Sequence, residues 1–319
     1  MGYYLGIDVG GTKIAYGLFD ENRKLLKSKK TITKVHLPPE DFFDELCKEI
    51  KEFISDQKIS LEQVKGIGIG LPSFIHYQTG YIVQTGSMPQ INHFPVRDYL
   101  QQKLGDQIKI VVDNDGNTGA LAEYRYGSGQ GYEHVIFCLV STGIGSSYII
   151  NGKLFRGSYG WAGESGHMLT MLPDEVSSEC GCGNNGCFNA YCSGKMIVDH
   201  IKKWIAEGET TLITELAGSV DKITTIEIDA AYEVGDAMAK KAVEQMAQFM
   251  AVWLYDMYLI LNINCFVFSG GLLEMGDKLF KRVQQLFNDY NKNEYPVTFL
   301  KAKLGAETGI IGAVELLFD

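Results

Sequence analysis

A turn rich in glycine, placed between two apolar segments, occurs near the start of the chain and again in its second half. The first turn is Asp8-Val-Gly-Gly-Thr12, and the second is Ser141-Thr-Gly-Ile-Gly145. The segments on either side have the β-branched and aromatic composition of strands, so each half begins with a short meander of strands. This repeat predicts two related α/β lobes that face each other.

The segments after the first meander alternate between helix and strand patterns. Residues 40–55 place apolar side chains at helical spacing, whereas 64–71 and 108–112 have strand composition. The other predicted strands are 24–32, 153–155 and 265–269, the last of these expected to be the final strand, and the other predicted helices are 97–104, 118–126, 194–207, 230–261, 277–290 and 309–317.

The length of the chain favours two domains, because 319 residues exceed what one hydrophobic core usually spans. The glycine-rich stretch 127–133 breaks the helix pattern that precedes it. The sequence therefore predicts an N-terminal α/β lobe over residues 1–127, completed by the C-terminal helix, and a C-terminal α/β lobe over residues 128–319.

Charge and composition exclude several classes of partner. The net charge of −10 disfavours nucleic acid and anionic membrane surfaces, because both are bound through basic patches. The first residues lack the regions of a signal peptide, and no uncharged apolar run approaches the roughly 18 residues of a membrane span. Seven cysteines suit a reducing compartment better than a disulfide framework. We expect a cytoplasmic protein.

Three cysteines and a histidine have the spacing of a metal site. Cys180, Cys182 and Cys187 follow His167 after twelve intervening residues, with glycines between the cysteines that let the backbone wrap one ion. Three thiolates and one imidazole suit tetrahedral Zn²⁺, and four protein ligands leave no open position for a reactive water. The predicted zinc is therefore structural. Disulfides or reduced core cysteines are the alternative interpretation.

The two glycine turns also predict a site for phosphate groups. In the first turn, the N–H groups of Gly10 and Gly11 and the hydroxyl of Thr12 can approach a polyanion. Asp8 cannot itself bind phosphate, so we expect it to hold Mg²⁺ directly or through water. The second turn has no acid, as expected if it cradles phosphate oxygens. Each turn alone is better explained as a simple hairpin, whereas the pair is more specific.

Asn114 and Asp115 lie where a predicted strand ends and a helix begins. This is the place where α/β sheets expose their chemical groups. If the turns bind a nucleotide, Asp115 is a candidate general base for a substrate hydroxyl, and Asn114 can bond to a neighbouring hydroxyl. Either residue could instead serve only as a helix cap.

Six motifs together resemble the ROK family of repressors, open reading frames and sugar kinases. They are Asp8-x-Gly-Gly-Thr-Lys13, Asn114-Asp115-x-Asn117, Ser141-Thr-Gly-Ile-Gly145, Gly163-Glu164-x-Gly-His167, Cys180-x-Cys-Gly-x-x-Gly-Cys187 and Gly270-Gly271, and they extend over essentially the whole chain. The glycine turns are shared with the wider actin, Hsp70 and hexokinase fold. The Glu-x-Gly-His motif followed by the cysteines is specific to this family.

The resemblance implies a two-lobed ribonuclease-H-like α/β fold with ATP, Mg²⁺ and a hexose in an interlobe cleft. It implies transfer of the γ-phosphoryl group to a sugar hydroxyl, usually the 6-hydroxyl, with Asp115 as the catalytic base. His167 would bind zinc through one ring nitrogen and a sugar oxygen through the other. The usual assembly in this family is a homodimer. The implied sugar contacts are Asn114, Glu164 and His167. The residues implied to surround the phosphates and metal are Asp8, Gly10, Gly11, Thr12, Lys13, Thr142 and Gly143. Gly270 and Gly271 are implied to lie near the adenosine.

Departures from the family pattern leave the sugar undetermined. Asn189 stands where the family usually has a Glu that reaches the sugar near its anomeric carbon, Ser73 stands where Gly is common, and the gap between His167 and Cys180 is longer than usual. The neutral amide of Asn189 removes an acceptor for a free anomeric hydroxyl, which suggests a substituted hexose such as a β-glucoside. Equally, Asn189 could hydrogen-bond to the same oxygen of a free sugar.

A sugar-binding transcriptional regulator of the same family is the alternative function. Such regulators carry a helix-turn-helix segment before the first glycine turn, whereas Asp8 lies almost at the start of this sequence, and the acidic balance disfavours DNA. Regulators also tend to lose the catalytic acid, which is present here as Asp115. A non-catalytic actin-like or chaperone ATPase would have no use for Glu164, His167 and the cysteines.

Overall fold

The computed structural model describes residues 2–85, 88–171 and 178–319. It has two five-stranded mixed sheets and a two-stranded sheet, together with helices, which confirms the predicted α/β class. The chain forms two compact units: unit 1 comprises Met1–Val135, Ser147–Ala162 and Ala302–Asp319, and unit 2 comprises Ile136–Ser146 and Gly163–Lys301. Residues 147–162, which the division at residue 127 assigned to the C-terminal lobe, thus belong to unit 1.

The strands and helices are numbered in chain order. The strands are β1 Tyr3–Val9, β2 Lys13–Phe19, β3 Leu25–Ile32, β4 Val64–Leu71, β5 Phe74–His76, β6 Tyr81–Gln84, β7 Lys109–Asn114, β8 Val135–Val140, β9 Ile144–Ile150, β10 Lys153–Phe155, β11 Cys265–Ser269 and β12 Thr298–Lys301. The helices are α1 Pro39–Asp56, α2 Val96–Leu104, α3 Asp115–Tyr126, α4 Asn189–Cys192, α5 Gly194–Ala206, α6 Ile213–Ala217, α7 Thr225–Glu233, α8 Ala237–Leu261, α9 Asp277–Tyr290 and α10 Thr308–Glu315.

The sheet of unit 1 has the order β3-β2-β1-β4-β7. The first three strands pair antiparallel, whereas β1, β4 and β7 are parallel. Side chains of a strand alternate between its two faces. On one face Leu5 and Ile7 join a buried core with Phe43 and Ile50 of α1, and the opposite face packs against α10. The sheet is therefore covered on both sides.

Glycines on β1 and β4 let the backbone of α10 approach the sheet closely. A Cβ atom on Gly6 would lie 1.9 Å from the carbonyl oxygen of Ile310, and one on Gly68 would lie 1.7 Å from that of Ala313. Both neighbours are backbone atoms of a packed helix, which cannot rotate away as a side chain can. Glycine is thus the residue that fits at these two positions.

We predict that Gly68→Ala destabilises unit 1, because the new methyl group must displace α10. Overpacking of this kind costs about 1–3 kcal/mol of unfolding free energy, and backbone contacts lie at the upper end. Gly66→Ala on the same strand is the matched control, since its Cβ would meet mainly the flexible side chain of Leu317 at 3.0 Å. Urea unfolding followed by circular dichroism measures both variants. Equal midpoints for the two would contradict the close-approach interpretation.

The second sheet has the order β10-β9-β8-β11-β12, with β11 parallel to both β8 and β12. In unit 2 the long helix α8 buries 12 of its 25 residues, including the fully buried Trp253. α9 packs against α8. Among the described residues, no helix has both the length and the apolar character needed to cross a membrane.

Two sequence predictions in unit 2 are wrong. The helix predicted over 230–261 is two helices, α7 and α8, because Gly235 adopts a φ of 89° and Asp236 caps α8 by accepting a hydrogen bond of 2.8 Å from the N–H of Ala239. The strand predicted to be the last, β11, is followed by β12, whose four residues, three partly buried and one exposed, give a weak strand pattern.

The hairpin of β5 and β6 in unit 1 was not predicted either. These strands have three and four residues, too short for a clear periodic pattern.

Candidate functional site

Three acidic residues gather at the carboxyl edge of the unit 1 sheet. Asp8 of β1 pairs in register with Gly70 of β4, which in turn pairs with Asp113 of β7. Asp115 is the first residue of α3, which directly follows β7. Parallel strands expose their chemistry at this edge. Two of the acids, Asp8 and Asp115, are residues that the sequence analysis selected.

Asp113, which the sequence analysis did not select, is the buried anchor of this edge. Its carboxylate accepts hydrogen bonds of 2.8 Å from the N–H of Asn114 and from the side-chain amide of Asn117. Its second oxygen accepts a bond of 2.7 Å from Nε of Arg156, which also donates to Asp319 at 2.7 Å. A carboxylate that is only 1% exposed requires such partners to offset its desolvation.

Asn114 holds the start of α3 and the segment before β5 at once. Its side-chain oxygen accepts a 2.7 Å hydrogen bond from the N–H of Gly116, so it is the N-cap of α3. Its amide nitrogen donates to the carbonyl oxygen of Ser73 at 3.1 Å. An amide has two lone pairs and two N–H donors, so one of each remains for a ligand. The cap and a substrate contact are therefore compatible.

Asp115 is held at the helix start by a 2.9 Å hydrogen bond from the N–H of Gly116. Burial raises the pKa of Asp115 above its ordinary value, although this N–H bond opposes the shift. Burial, followed by the negative charge of Asp115, raises the pKa of Asp8 to about 6. The negative charge of Asp115 therefore adds to the effect of burial on the pKa of Asp8.

The first glycine turn is fixed by its own backbone and by Thr33. The N–H of Gly10 donates to the carbonyl oxygen of Lys13 at 2.9 Å, and the hydroxyl of Thr33 donates to the carbonyl oxygen of Gly10 at 2.6 Å. Thr12 and Lys13 are exposed beside it. A Cβ atom on Gly309 would lie 2.3 Å from the Asp8 carboxylate, so α10 begins directly against this acid.

The second glycine turn in unit 2 is fixed by the start of α5. The N–H of Gly194 donates to the carbonyl oxygen of Ser141 at 2.8 Å, and that of Lys195 donates to Thr142 at 3.1 Å. Thr142 and Gly143 are exposed. The turn therefore presents its outer side to solvent while its carbonyl groups are satisfied.

A cavity of about 840 Å³ lies in unit 2 beside this turn. Of the predicted phosphate and adenosine residues, Thr142 and Gly271 line it. Gly143 and Gly270 adjoin them in the chain but are not part of its wall. Gly270 adopts a φ of 111°, and a Cβ there would lie 2.3 Å from the carbonyl oxygen of Val140. The volume lies in the range of cofactor pockets.

Most of the residues in the cavity wall were not predicted from the sequence. The additional lining residues come from α5, from the start of α7 and from the segment after Gly271, and they include Lys195, Asp199, Lys202, Ile226, Leu272 and Met275. They carry no motif of their own, and only the fold brings these three segments together.

His167, Cys180, Cys182 and Cys187 converge in unit 2, with their ligand atoms all within 4.8 Å of one another. Nδ1 of His167 lies 3.4 Å from the Cys180 sulfur, and the sulfurs of Cys182 and Cys187 are 3.7 Å apart, which is well beyond the roughly 2 Å of a disulfide. Three soft thiolates and an imidazole are the donor set that Zn²⁺ prefers, so these residues fit a structural zinc ion.

The loop that carries Glu164 and His167 is tied to the core of unit 2. Nε1 of Trp253 donates to the hydroxyl of Ser165 at 3.0 Å, and a Cβ on Gly166 would lie 2.1 Å from the carbonyl oxygen of Ile144. Nε2 of His167 lies 3.9 Å from the carboxylate of Glu164. The ring therefore turns Nδ1 towards the cysteines and Nε2 towards Glu164. Residues 172–177, in the long gap before Cys180, lie outside the described residues.

Asn189 connects the second glycine turn to the cysteine cluster. Its side-chain oxygen accepts a 3.0 Å hydrogen bond from the N–H of Ile144, and its amide nitrogen lies 3.6 Å from the Cys180 sulfur, to which it donates. The sequence predicted a contact between Asn189 and the sugar. Its two contacts within the protein use one lone pair and one N–H of the amide, so one lone pair and one N–H remain for a ligand.

We predict that purified protein contains about one zinc ion per chain and that Asn189→Ala releases it faster to a chelator. Loss of a hydrogen bond to a ligand typically weakens metal binding by about 10-fold to 100-fold. A chromogenic chelator monitors the release rate. Asn184→Ala, at an exposed position of the same loop, is the control and should release zinc at the wild-type rate. Identical rates for both variants would show that Asn189 does not support the ligand.

The chain is similar to known proteins over nearly its full length. The ROK family model matches residues 4–319. A glucokinase from Streptomyces coelicolor is 30% identical, with 99% of this chain and 98% of that protein covered. A xylose repressor from Caldicellulosiruptor bescii is 26% identical, with 100% of this chain and 79% of the repressor covered. The crystal structure of a ROK family glucokinase from Streptomyces griseus, in complex with glucose and AMPPNP, has a TM-score of 0.80 and 29% identity, with 99% of both chains covered.

Proposed function

Because this chain belongs to the ROK family and is a sugar kinase, we propose that it transfers the γ-phosphoryl group of ATP to the 6-hydroxyl of a hexose, with Asp115 as general base. The observation that carries this proposal is the position of Asp115, a carboxyl group of raised pKa at the start of α3, beside the cap Asn114. A raised pKa makes a carboxylate a stronger base towards a hydroxyl.

The proposed step at Asp115 is removal of the 6-hydroxyl proton as the oxygen attacks the γ-phosphorus, while the bond between the γ-phosphorus and the β,γ-bridging oxygen breaks and ADP leaves. The carboxylate binds the hydroxyl before transfer and holds its proton afterwards, so the attacking oxygen is oriented as well as activated. The hydrogen bond from Gly116 N–H and the cap at Asn114 keep the carboxylate in one place during this exchange.

The phosphate groups would be bound by the two glycine turns. Gly10, Gly11, Thr12 and Lys13 of the first turn and Thr142 and Gly143 of the second offer N–H, hydroxyl and ammonium donors, which stabilise charge on phosphate oxygens. Mg²⁺, held by Asp8 directly or through water, would neutralise the charge that develops on these oxygens. The cavity beside Thr142 and Gly271 supports an adenosine site in unit 2.

The hexose would be bound by residues that the structure fixes in place. Asn114, Ser73, Glu164, His167 and Asn189 are the proposed contacts. Ser73 is 4% exposed, and its hydroxyl has no hydrogen-bond partner among the described residues. This hydroxyl can therefore still hydrogen-bond to a ligand. Bound zinc would hold His167 with Nε2 available to a sugar oxygen. Glucose is the first candidate, since the similar proteins from Streptomyces coelicolor and Streptomyces griseus are glucokinases.

We predict that Asp115→Asn lowers kcat by about 10²-fold to 10⁴-fold, the usual contribution of a general base. The sugar KM should change much less, because the amide still occupies the site. ADP formation with glucose, mannose, allose, fructose, N-acetylhexosamines and β-glucosides measures both constants and identifies the substrate. Asp106→Asn, at an exposed position outside the site, is the matched control.

Near-normal turnover by Asp115→Asn would show that another group is the base. Sugar binding without any ADP formation by the wild-type protein would instead favour a regulator, a function found in the family. ADP formation that does not depend on sugar would favour a plain ATPase.

We also predict an acid limb near pH 6 in the pH dependence of kcat/KM. The pKa of Asp8 is raised from 3.8 to about 6, and that of Asp115 is raised as well. Both groups act as carboxylates, so activity is retained above the raised pKa and lost as the pH falls through it. Direct chromatography of ADP between pH 4.5 and 8 avoids coupling enzymes. A rate that stays constant down to about pH 5 would contradict the raised pKa.

A further inference from the structure

Four aromatic side chains form a partly exposed cluster in unit 1, here called the aromatic platform: the partly buried Phe74 and His76 and the exposed Tyr159 and Trp161. The ring centroids of Phe74 and Trp161 are 5.8 Å apart, as are those of Tyr159 and Trp161, and those of His76 and Tyr159 are 6.2 Å apart. Tyr159 is 60% exposed and Trp161 is 40% exposed. Contiguous exposed apolar rings of this kind mark sites of ligand or partner binding.

The loop that carries Tyr159 and Trp161 is held firmly. Gly160 adopts a φ of 102°, and a Cβ there would lie 2.4 Å from the carbonyl oxygen of Ile75, so the loop lies directly on β5. The N–H groups of Gly160 and Ala162 both donate to the carbonyl oxygen of Arg156, at 3.1 and 3.2 Å. The two exposed rings are therefore pre-organised, which lowers the entropy that binding a ligand would cost.

Both segments of the platform are anchored at the strand end that carries Asp115. Ser73, which directly precedes Phe74, accepts a hydrogen bond from Asn114. Arg156, which holds the other loop, donates to Asp113. Consecutive residues, Asp113 and Asn114, thus fix the two halves of the platform next to the proposed base.

The surface also offers room and polar edges for a ring. A cavity of about 390 Å³ is lined in part by Tyr77, Arg156 and Ser158. Tyr77 and Ser158 are sequence neighbours of the platform residues His76 and Tyr159. A pyranose has a C–H face that packs on an aromatic ring and hydroxyl edges that need polar partners. The tyrosine hydroxyl, indole N–H and imidazole of the platform can supply such partners at the edges of its rings.

We propose that the aromatic platform binds the second sugar ring of a disaccharide whose first ring is phosphorylated at Asp115. This inference rests on the proposed function and narrows its substrate to a glycosyl-substituted hexose. The second ring stacks on Trp161 and Tyr159 while the first ring occupies the site at Asn114 and Ser73.

The test compares glucose with cellobiose and maltose as substrates of the full-length protein. The wild-type KM should be lower for at least one disaccharide than for glucose. Trp161→Ala should raise that disaccharide KM about tenfold, the effect of losing one good ring contact, while the glucose KM changes less than about twofold. Trp161→Phe, which keeps a ring, should recover most of the affinity, and Tyr295→Ala, at an exposed tyrosine of unit 2, is the control.

Each other outcome overturns the inference in a recognisable way. Equal loss for glucose and disaccharide, with a lower melting temperature, would show that the platform is structural. A change in molar mass for Trp161→Ala by light scattering would show that a second copy of the chain covers it. Phosphorylation of glucose with no turnover or competition by either disaccharide would refute only the platform, whereas failure on every sugar would refute the proposed function itself.

Discussion

The carboxylate of Asp113 holds together the elements at the carboxyl edge of the unit 1 sheet. It lies buried at the end of β7 and ties together the start of α3 through Asn117 and the loop 156–162 through Arg156. Its charge is tolerated because a guanidinium and two N–H donors surround it. Without Arg156, the buried carboxylate of Asp113 would lose its ion-pair partner. The positions of Asn114 and Asp115 follow from this arrangement.

The close packing of α10 sets the position of the remaining acid. Gly309 allows the first turn of α10 to touch Asp8, and Gly312 allows the carbonyl oxygen of Thr118 within 1.8 Å of where a Cβ would lie. α10 therefore contacts both β1 and α3, the elements that carry Asp8 and Asp115. Burial raises the pKa of Asp8, and the negative charge of Asp115 raises it further. Packing that has no chemistry of its own thus raises the pKa of this acid.

Local features of this fold could be predicted from sequence, and long-range ones could not. The predicted strand 64–71 and helix 277–290 coincide with β4 and α9, because their apolar patterns are continuous and end in turn residues. The bond between Arg156 and Asp113 joins residues 43 positions apart, and no local pattern marks it. The break at Gly235 was missed because apolar spacing on both sides suggested one helix, although the glycine and Asp236 are the signals that end and begin helices.

In the candidate site, too, local features could be predicted from sequence and long-range contacts could not. Asn189 shows why the role of a side chain must be interpreted together with its neighbours. A carboxylate at this position could accept the N–H of Ile144 but could not donate to a sulfur. The amide does both, since it donates through nitrogen and accepts through oxygen, and it meets one donor and one acceptor within unit 2. The departure from the family's usual Glu therefore has an explanation inside the protein, because the amide links the second glycine turn to Cys180. A substituted sugar is not required to account for Asn189, so the case for a second ring depends on the aromatic platform.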